Sequence, residues 1–326
     1  MKIQKRAFYN SLRLDWLQNP SLPVEDWQVE NYREMPYSVL FERLRHFVLA
    51  IDRVSFLSLA EEHETPEELT EELCQSLYLS EEATDRVYLL VFELWRRLMS
   101  HQPSLSVFCD ELDDQISRYD DGQLEETDEL EELIEQLQTI LDSYLDESGQ
   151  TAEVFDYIES YLAHDLEDFL VDFIDEEIEA GDSSYAKELL EGFASYVPDS
   201  LWFQLLQLKA MHRSEVGEEI REQLQHLFQR AQKQGEEELD WYLELLQLLV
   251  GEEGSSRLFH RVVLAILPLV KEREDLSLFL EVALDYYSHA DEEKRVEQVK
   301  GLQRRCNKGE EPWQKLIEEV RLFSAR

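Results

Sequence analysis

Cysteine is scarce and scattered. Cys74, Cys109 and Cys306 are the only three among 326 residues, and none stands in a CxxC or Cys–His ligand spacing. That excludes a disulfide framework and a zinc ribbon, and indicates a reducing compartment. Glycine and proline are few, 10 and 8 in number, which leaves too little punctuation for a turn-rich β fold. The glycine motifs of nucleotide-binding loops, the G-x-S-x-G elbow and the H-E-x-x-H metal helix are missing. No run approaches the roughly 18 consecutive apolar residues of a membrane span. The opening MKIQKRAFYNSLRLDWLQN lacks the apolar core and small-residue cleavage site of a secretory signal. A cytoplasmic protein is expected.

Positive charge is also short. Lys and Arg number 31 against 73 Asp and Glu, a formal net charge of -42. Such a field repels DNA, RNA and anionic membrane surfaces and attracts basic chains. The expected partner is a basic protein or peptide, with no direct nucleic-acid or membrane contact.

What the chain does have is helix-forming sequence. Hydrophobic residues make up 43%, and Leu, Glu, Gln and Ala are plentiful. Apolar residues recur at i, i+3, i+4 and i+7, while period-two alternation never persists. The fold class is all-α. Long single helices are expected over 37–61, 80–100, 104–119, 127–146 and 151–180. The segment 18–36, with Pro20, Pro23 and Pro36, is expected to be an ordered loop anchored by Trp16 and Trp27. DESGQ at 146–150 marks the expected boundary between an N-terminal helical domain, 1–147, and a domain of stacked, solenoid-like helical hairpins, 151–326.

The second half echoes itself. FQLLQL at 203–208 recurs as LELLQL at 243–248, and YLELL at 242–246 returns as FLEVA at 279–283. A spacing near 40 residues suits stacked hairpins that cannot bury their apolar faces alone. Ala186, Leu190 and Pro198, followed by Trp202, Leu205 and Leu206, resemble a tetratricopeptide repeat at a hairpin junction. Leu206 stands where that family has its small Gly, and Phe193 where it has a second Ala. The resemblance covers residues 186–206, implies a helical-repeat binding scaffold, and carries over no functional residues.

The most unusual stretch is acidic. From Asp110 to Asp182 there are 28 acids and a single Lys or Arg, Arg118. Part of this is helix-start chemistry: Asp128 is an expected cap with Glu131 three residues on, ahead of the stripe Leu130, Leu133, Ile134, Leu137 and Leu141. Helix starts do not require the rest, because like charges at i,i+4 weaken a helix by a few tenths of a kcal/mol per pair. Asp120, Asp121, Glu125, Asp168, Asp172 and Glu176 are therefore the candidate partner-binding carboxylates.

Chemistry-bearing patterns are weak. Asp110-Glu-Leu-Asp-Asp114 superficially resembles the DDxxD box of helical isoprenoid synthases, without its closing carboxylate and without a basic cluster for a diphosphate. Glu222 and His226 share a helix face as a surface pair. His164 and His260 read as residues at the edge of apolar stripes, and Cys74 and Cys109 as small core residues. Arg96-Arg97 and Arg304-Arg305 are expected to pair with acidic neighbours. Trp95, Trp202, Trp241 and Trp313 follow helical spacing as packing residues. Should the acidic face only solubilise, Trp202 and Trp241 mark where a partner would seat. The leading expectation is a non-enzymatic interaction protein (scaffold, adaptor or chaperone-like binder) with no catalytic residue, metal or cofactor. Two alternatives stay open: an acidic nucleic-acid mimic that occupies a DNA-binding protein, and an all-α enzyme using an Asp/Glu metal cluster.

Overall fold

The computed structural model describes residues 3–75, 77–102, 104–124, 126–148, 150–212, 218–236, 238–252, 254–309 and 311–324, and among them there is no strand. The packing divides into two units, Met1–Leu170 and Val171–Arg326. The DESGQ segment falls within the first unit, and its Gly149 lies outside the described residues.

The first unit contains α1 (Lys5–Gln18), α2 (Asp26–Val29), a 3-10 turn (Tyr32–Glu34), α3 (Tyr37–His46), α4 (Arg53–Ala60), α5 (Pro66–Gln75), α6 (Glu81–Leu98), α7 (Leu105–Asp120), α8 (Asp128–Ser148) and α9 (Thr151–Glu159). α10 (Leu166–Ala180) crosses the division. α6 is the central helix. Every residue from Val87 to Trp95 is buried, so the helix is surrounded on all sides, and α3, α5 and the 3-10 turn pack on it. Ser80 caps its start, accepting from the Ala83 amide at 3.2 Å.

Two expected long helices are each divided. The 37–61 segment breaks between α3 and α4, where Asp52 accepts the Ser55 amide at 2.8 Å and restarts the helix. The 151–180 segment breaks between α9 and α10, where Asp165 accepts the Asp168 amide at 3.0 Å. α8 begins at Asp128 itself, so the expected Asp128 cap moves back one residue. The Thr127 hydroxyl donates to Glu131 there at 2.6 Å.

The turn after α3 is strained. The Leu49 amide reaches back to the Leu44 carbonyl at 3.2 Å, closing the helix through Val48 at φ 65. This is a left-handed position that normally holds Gly. A β-branched residue is strained there, and the Val48 side chain is 81% exposed, so packing does not offset the strain. Val48→Gly is expected to stabilise the first unit by about 1 kcal/mol, read from the midpoint of urea unfolding. A loss of stability would show that Val48 makes a compensating contact.

The second unit continues with α11 (Ser183–Phe193), α12 (Leu201–His212), α13 (Glu218–Gln234), α14 (Leu239–Leu248), α15 (Ser256–Ile266), α16 (Arg273–His289), α17 (Glu293–Lys308) and α18 (Trp313–Ser324). Consecutive helices pair as hairpins: α12 with α13, α14 with α15, α16 with α17. The three helices carrying the sequence echoes are spatial neighbours in order, α12 on α14 and α14 on α16, and α18 closes the stack against α15, α16 and α17. Trp241, Phe259, Phe279 and Tyr287 form a continuous core with no solvent exposure.

Candidate functional site

The acidic stretch sorts into two kinds of carboxylate. On α7, Asp110 and Asp113 face inward, three residues apart on one side of the helix and buried. A buried carboxylate must be paired, because desolvation penalises its charge heavily. Asp110 accepts from Arg6 Nε on α1 and from Arg33 Nη2 in the 3-10 turn, both at 2.5 Å, and from Asn10 Nδ2 at 2.9 Å. Burial alone would raise its pKa, but Arg6 and Arg33 outweigh that and hold it at about 2. Arg33 also reaches Glu111 at 3.1 Å and Asp114 at 3.4 Å.

A second buried acid, Glu93 of α6, takes both Arg96 and Arg97. Arg97 passes on to the carbonyls of Tyr32, Arg33 and Met35. These arginines pin the 18–36 segment to α6 and α7, and this is why it is ordered. The carboxylates of the Asp110–Asp114 box are thus engaged by guanidinium, amide and imidazole groups, and a cation there would have to displace them. No cluster of three or more metal-ligating side chains occurs among the described residues.

The pinned segment walls an open groove of about 960 Å³ lined by Trp16, Trp27, Phe47 and Arg86, with Glu25, Asp26 and Glu82 exposed along it. Arg86 lies over the rings of both Trp27 and Phe47, at 5.9 and 5.6 Å. Sequence reasoning identified Trp16 and Trp27 as anchors but missed the groove, because Phe47 and Arg86 reach it from other helices.

Many of the other described carboxylates face water. Asp120 and Asp121 at the end of α7, and Asp168, Asp172 and Glu176 on successive turns of α10, are exposed, as are Glu129, Glu132 and Glu135 of α8. Glu125 lies outside the described residues. Asp175 and Glu179 differ from their neighbours on α10. They hold Lys209 of α12 at 2.6 and 3.0 Å, with Glu244 of α14 at 3.2 Å. Burial alone would pull the Lys209 ammonium down, but these carboxylates raise it above the usual lysine range. Lys209 was missed in the sequence, although a lone cation within LWFQLLQLKAM was a usable signal.

Trp202 is half-buried on α12 and donates from Nε1 to Glu238 at 2.8 Å. Trp241 is wholly buried in the second core, away from solvent. Around the tetratricopeptide-like junction, α11 packs on α12, and Ala186, Leu190, Phe193, Leu205 and Leu206 are all buried. Arg305 pairs with Glu311 and Glu319 at 2.9 and 2.7 Å. Among the described residues no helix is long and apolar enough to cross a membrane. No protein-family model, curated protein or solved structure matches the chain.

Proposed function

We propose that the chain is a helical scaffold that docks a basic segment of a partner protein. The observation that carries this reading is the direction of its charges. Arg6, Arg33, Arg96, Arg97 and Lys209 are turned inward onto carboxylates and carbonyls, while Asp120, Asp121, Asp168, Asp172 and Glu176 face solvent. These five cations are engaged within the fold, and those carboxylates are left at the surface. Stacked hairpins, taken as tandem repeats, suit a scaffold. The groove of Trp16, Trp27 and Phe47 supplies apolar surface that a purely solubilising coat or a phosphate mimic would not need.

Charge reversal to Lys at Asp120, Asp121, Asp168, Asp172 and Glu176 tests it. Capture of basic partners, quantified by mass spectrometry after pull-down, should be abolished in the reversed protein. In the parent it should weaken steeply with salt, because exposed charges are screened over about 8 Å at physiological ionic strength. Helicity should be unchanged, since exposed substitutions usually shift stability by less than about 0.5 kcal/mol each. Equal capture of the same partner by the reversed protein at the same salt would reduce the acidic face to a solubilising surface.

A further inference from the structure

We infer that Ser117, His164 and Asp113 form a nucleophilic hydroxyl site that hydrolyses small uncharged esters, an activity separate from partner docking. The three are linked in one chain of hydrogen bonds. Ser117 Oγ lies 3.2 Å from His164 Nε2, and His164 Nδ1 lies 2.9 Å from Asp113 Oδ1. Asp113 is an acceptor, so Nδ1 carries the proton. In that tautomer Nε2 presents its lone pair to the Ser117 hydroxyl, the arrangement in which imidazole acts as general base. Asp113 and Ser117 sit one turn apart on α7, and His164 enters from the α9–α10 connection, 51 residues away from Asp113 in sequence.

The positions are held firmly. Asp113 accepts the Ala163 amide at 2.9 Å and the His164 amide at 3.2 Å, which fixes the loop that carries the imidazole. Anchoring that loop requires neither the ring nor the serine. Both line a half-open cavity of about 50 Å³, together with Asn10, Arg6, Arg13 and Arg33. A cavity needs roughly 10–15 Å³ to hold one water, so this one has room for an acetyl-sized group.

Arg13 is the second, independent observation. Acids outnumber bases 73 to 31, and Arg6 and Arg33 in the same cavity are both paired with Asp110. Among the described residues Arg13 nevertheless has no carboxylate within 4.0 Å and no hydrogen-bond partner, although it is half-buried. Burial, with Arg6 next, pulls its pKa down against the weaker attraction of Asp114 and Glu34. It is the donor left available to meet negative charge developing in the cavity. The chain's own field repels anions, which favours uncharged substrates.

The step balances without any redox partner. Ser117 Oγ attacks the ester carbonyl carbon as its proton passes to His164 Nε2, and the carbonyl oxygen becomes an oxyanion facing Arg13. Collapse breaks the bond to the alkoxide, which leaves with the proton from His164. Water then attacks the acyl-Ser117 ester by the same route, releasing a carboxylic acid and restoring the hydroxyl. Ser117 and His164 are the catalytic residues, and Asp113 acts through His164.

The test uses the full chain with a fluorophosphonate probe, in which an Oγ–P bond forms and fluoride leaves, followed by peptide mass mapping, and with 4-nitrophenyl acetate as substrate. The expected result is a single adduct at Ser117, with the exposed Ser143 and Ser184 unmodified. Several equivalents of 4-nitrophenolate should be released by the parent, and only background by Ser117→Ala. His164→Asn keeps a donor toward Asp113 but loses the base, and should label at least about tenfold more slowly with helicity unchanged. Asp113→Asn should slow labelling likewise and Asp113→Glu should recover part of the rate, a graded rescue that a loop anchor alone would not give. Absence of an adduct at Ser117, a parent no faster on the ester than Ser117→Ala, or a folded His164→Asn slowed less than tenfold would each overturn the assignment.

Discussion

Replacing Asp110 with alanine is expected to destabilise the first unit by about 3–5 kcal/mol, the range for breaking a buried ion pair by removing one partner. The loss comes less from the attraction removed than from what is left behind. Arg6 would remain largely buried without its carboxylate, and Arg33 would keep only the more exposed Glu111 and Asp114, at 3.1 and 3.4 Å. Asp110→Asn should lose most of the same stability despite its matched shape, because the missing element is charge.

The acid dependence has a defined sign. The folded carboxyl is held at about 2, below the roughly 3.9 of an unfolded aspartate. A depressed folded pKa contributes stability that is complete above the unfolded value and is lost as pH falls through the folded value. The parent should therefore shed this contribution between about pH 4 and pH 2. Asp110→Ala should lack that part of its acid sensitivity. Urea unfolding across that window measures both effects, and a loss under about 1 kcal/mol at neutral pH would show that Arg6 and Arg33 find other partners.

The Asp110 cluster also marks the limit of what local sequence conveys. Helix class and the apolar face of α8 were legible because they are local: Leu130, Ile134, Leu137 and Leu141, spaced three and four apart, all have zero exposure. The breaks at Asp52 and Asp165 were legible in principle, since each is an Asp followed three residues later by a residue whose amide it accepts. They were overridden by apolar periodicity that continues through both turns. The division of the carboxylates was not legible. Asp110 and Asp120 belong to one run, yet Asp110 is buried and Asp120 exposed. What separates them is Arg6, 104 residues before Asp110 in the chain. His164 read as an edge residue for the same reason, its partners Asp113 and Ser117 lying far away in sequence. Charge runs report composition, whereas orientation is decided by long-range pairing.

The second large effect concerns Trp241, and it separates packing from partner binding. The indole has no solvent exposure, sits among the residues of the second core and meets the Tyr242 ring edge-on at 5.0 Å. Trp241→Ala should destabilise the second unit by about 3–5 kcal/mol, combining lost transfer free energy with the cavity left behind. Trp241→Phe should lose only roughly half as much, for a specific reason: among the described residues the buried Nε1–H has no hydrogen-bond acceptor. Removing an unsatisfied donor recovers a desolvation penalty of about 1–3 kcal/mol, which offsets part of the volume lost. Were the indole N–H bonded to something the fold needs, the phenylalanine variant would be nearly as damaged as the alanine one, and denaturation of the two variants side by side would reveal it. The phenylalanine protein then serves as the functional control. It stays folded and alters nothing at the surface, so a scaffold that docks partners on exposed carboxylates should capture them undiminished. If capture disappears while the unfolding midpoint stays near that of the parent, Trp241 belongs to the docking surface, and the hairpins around α12 and α14 bind the partner instead of the acidic face.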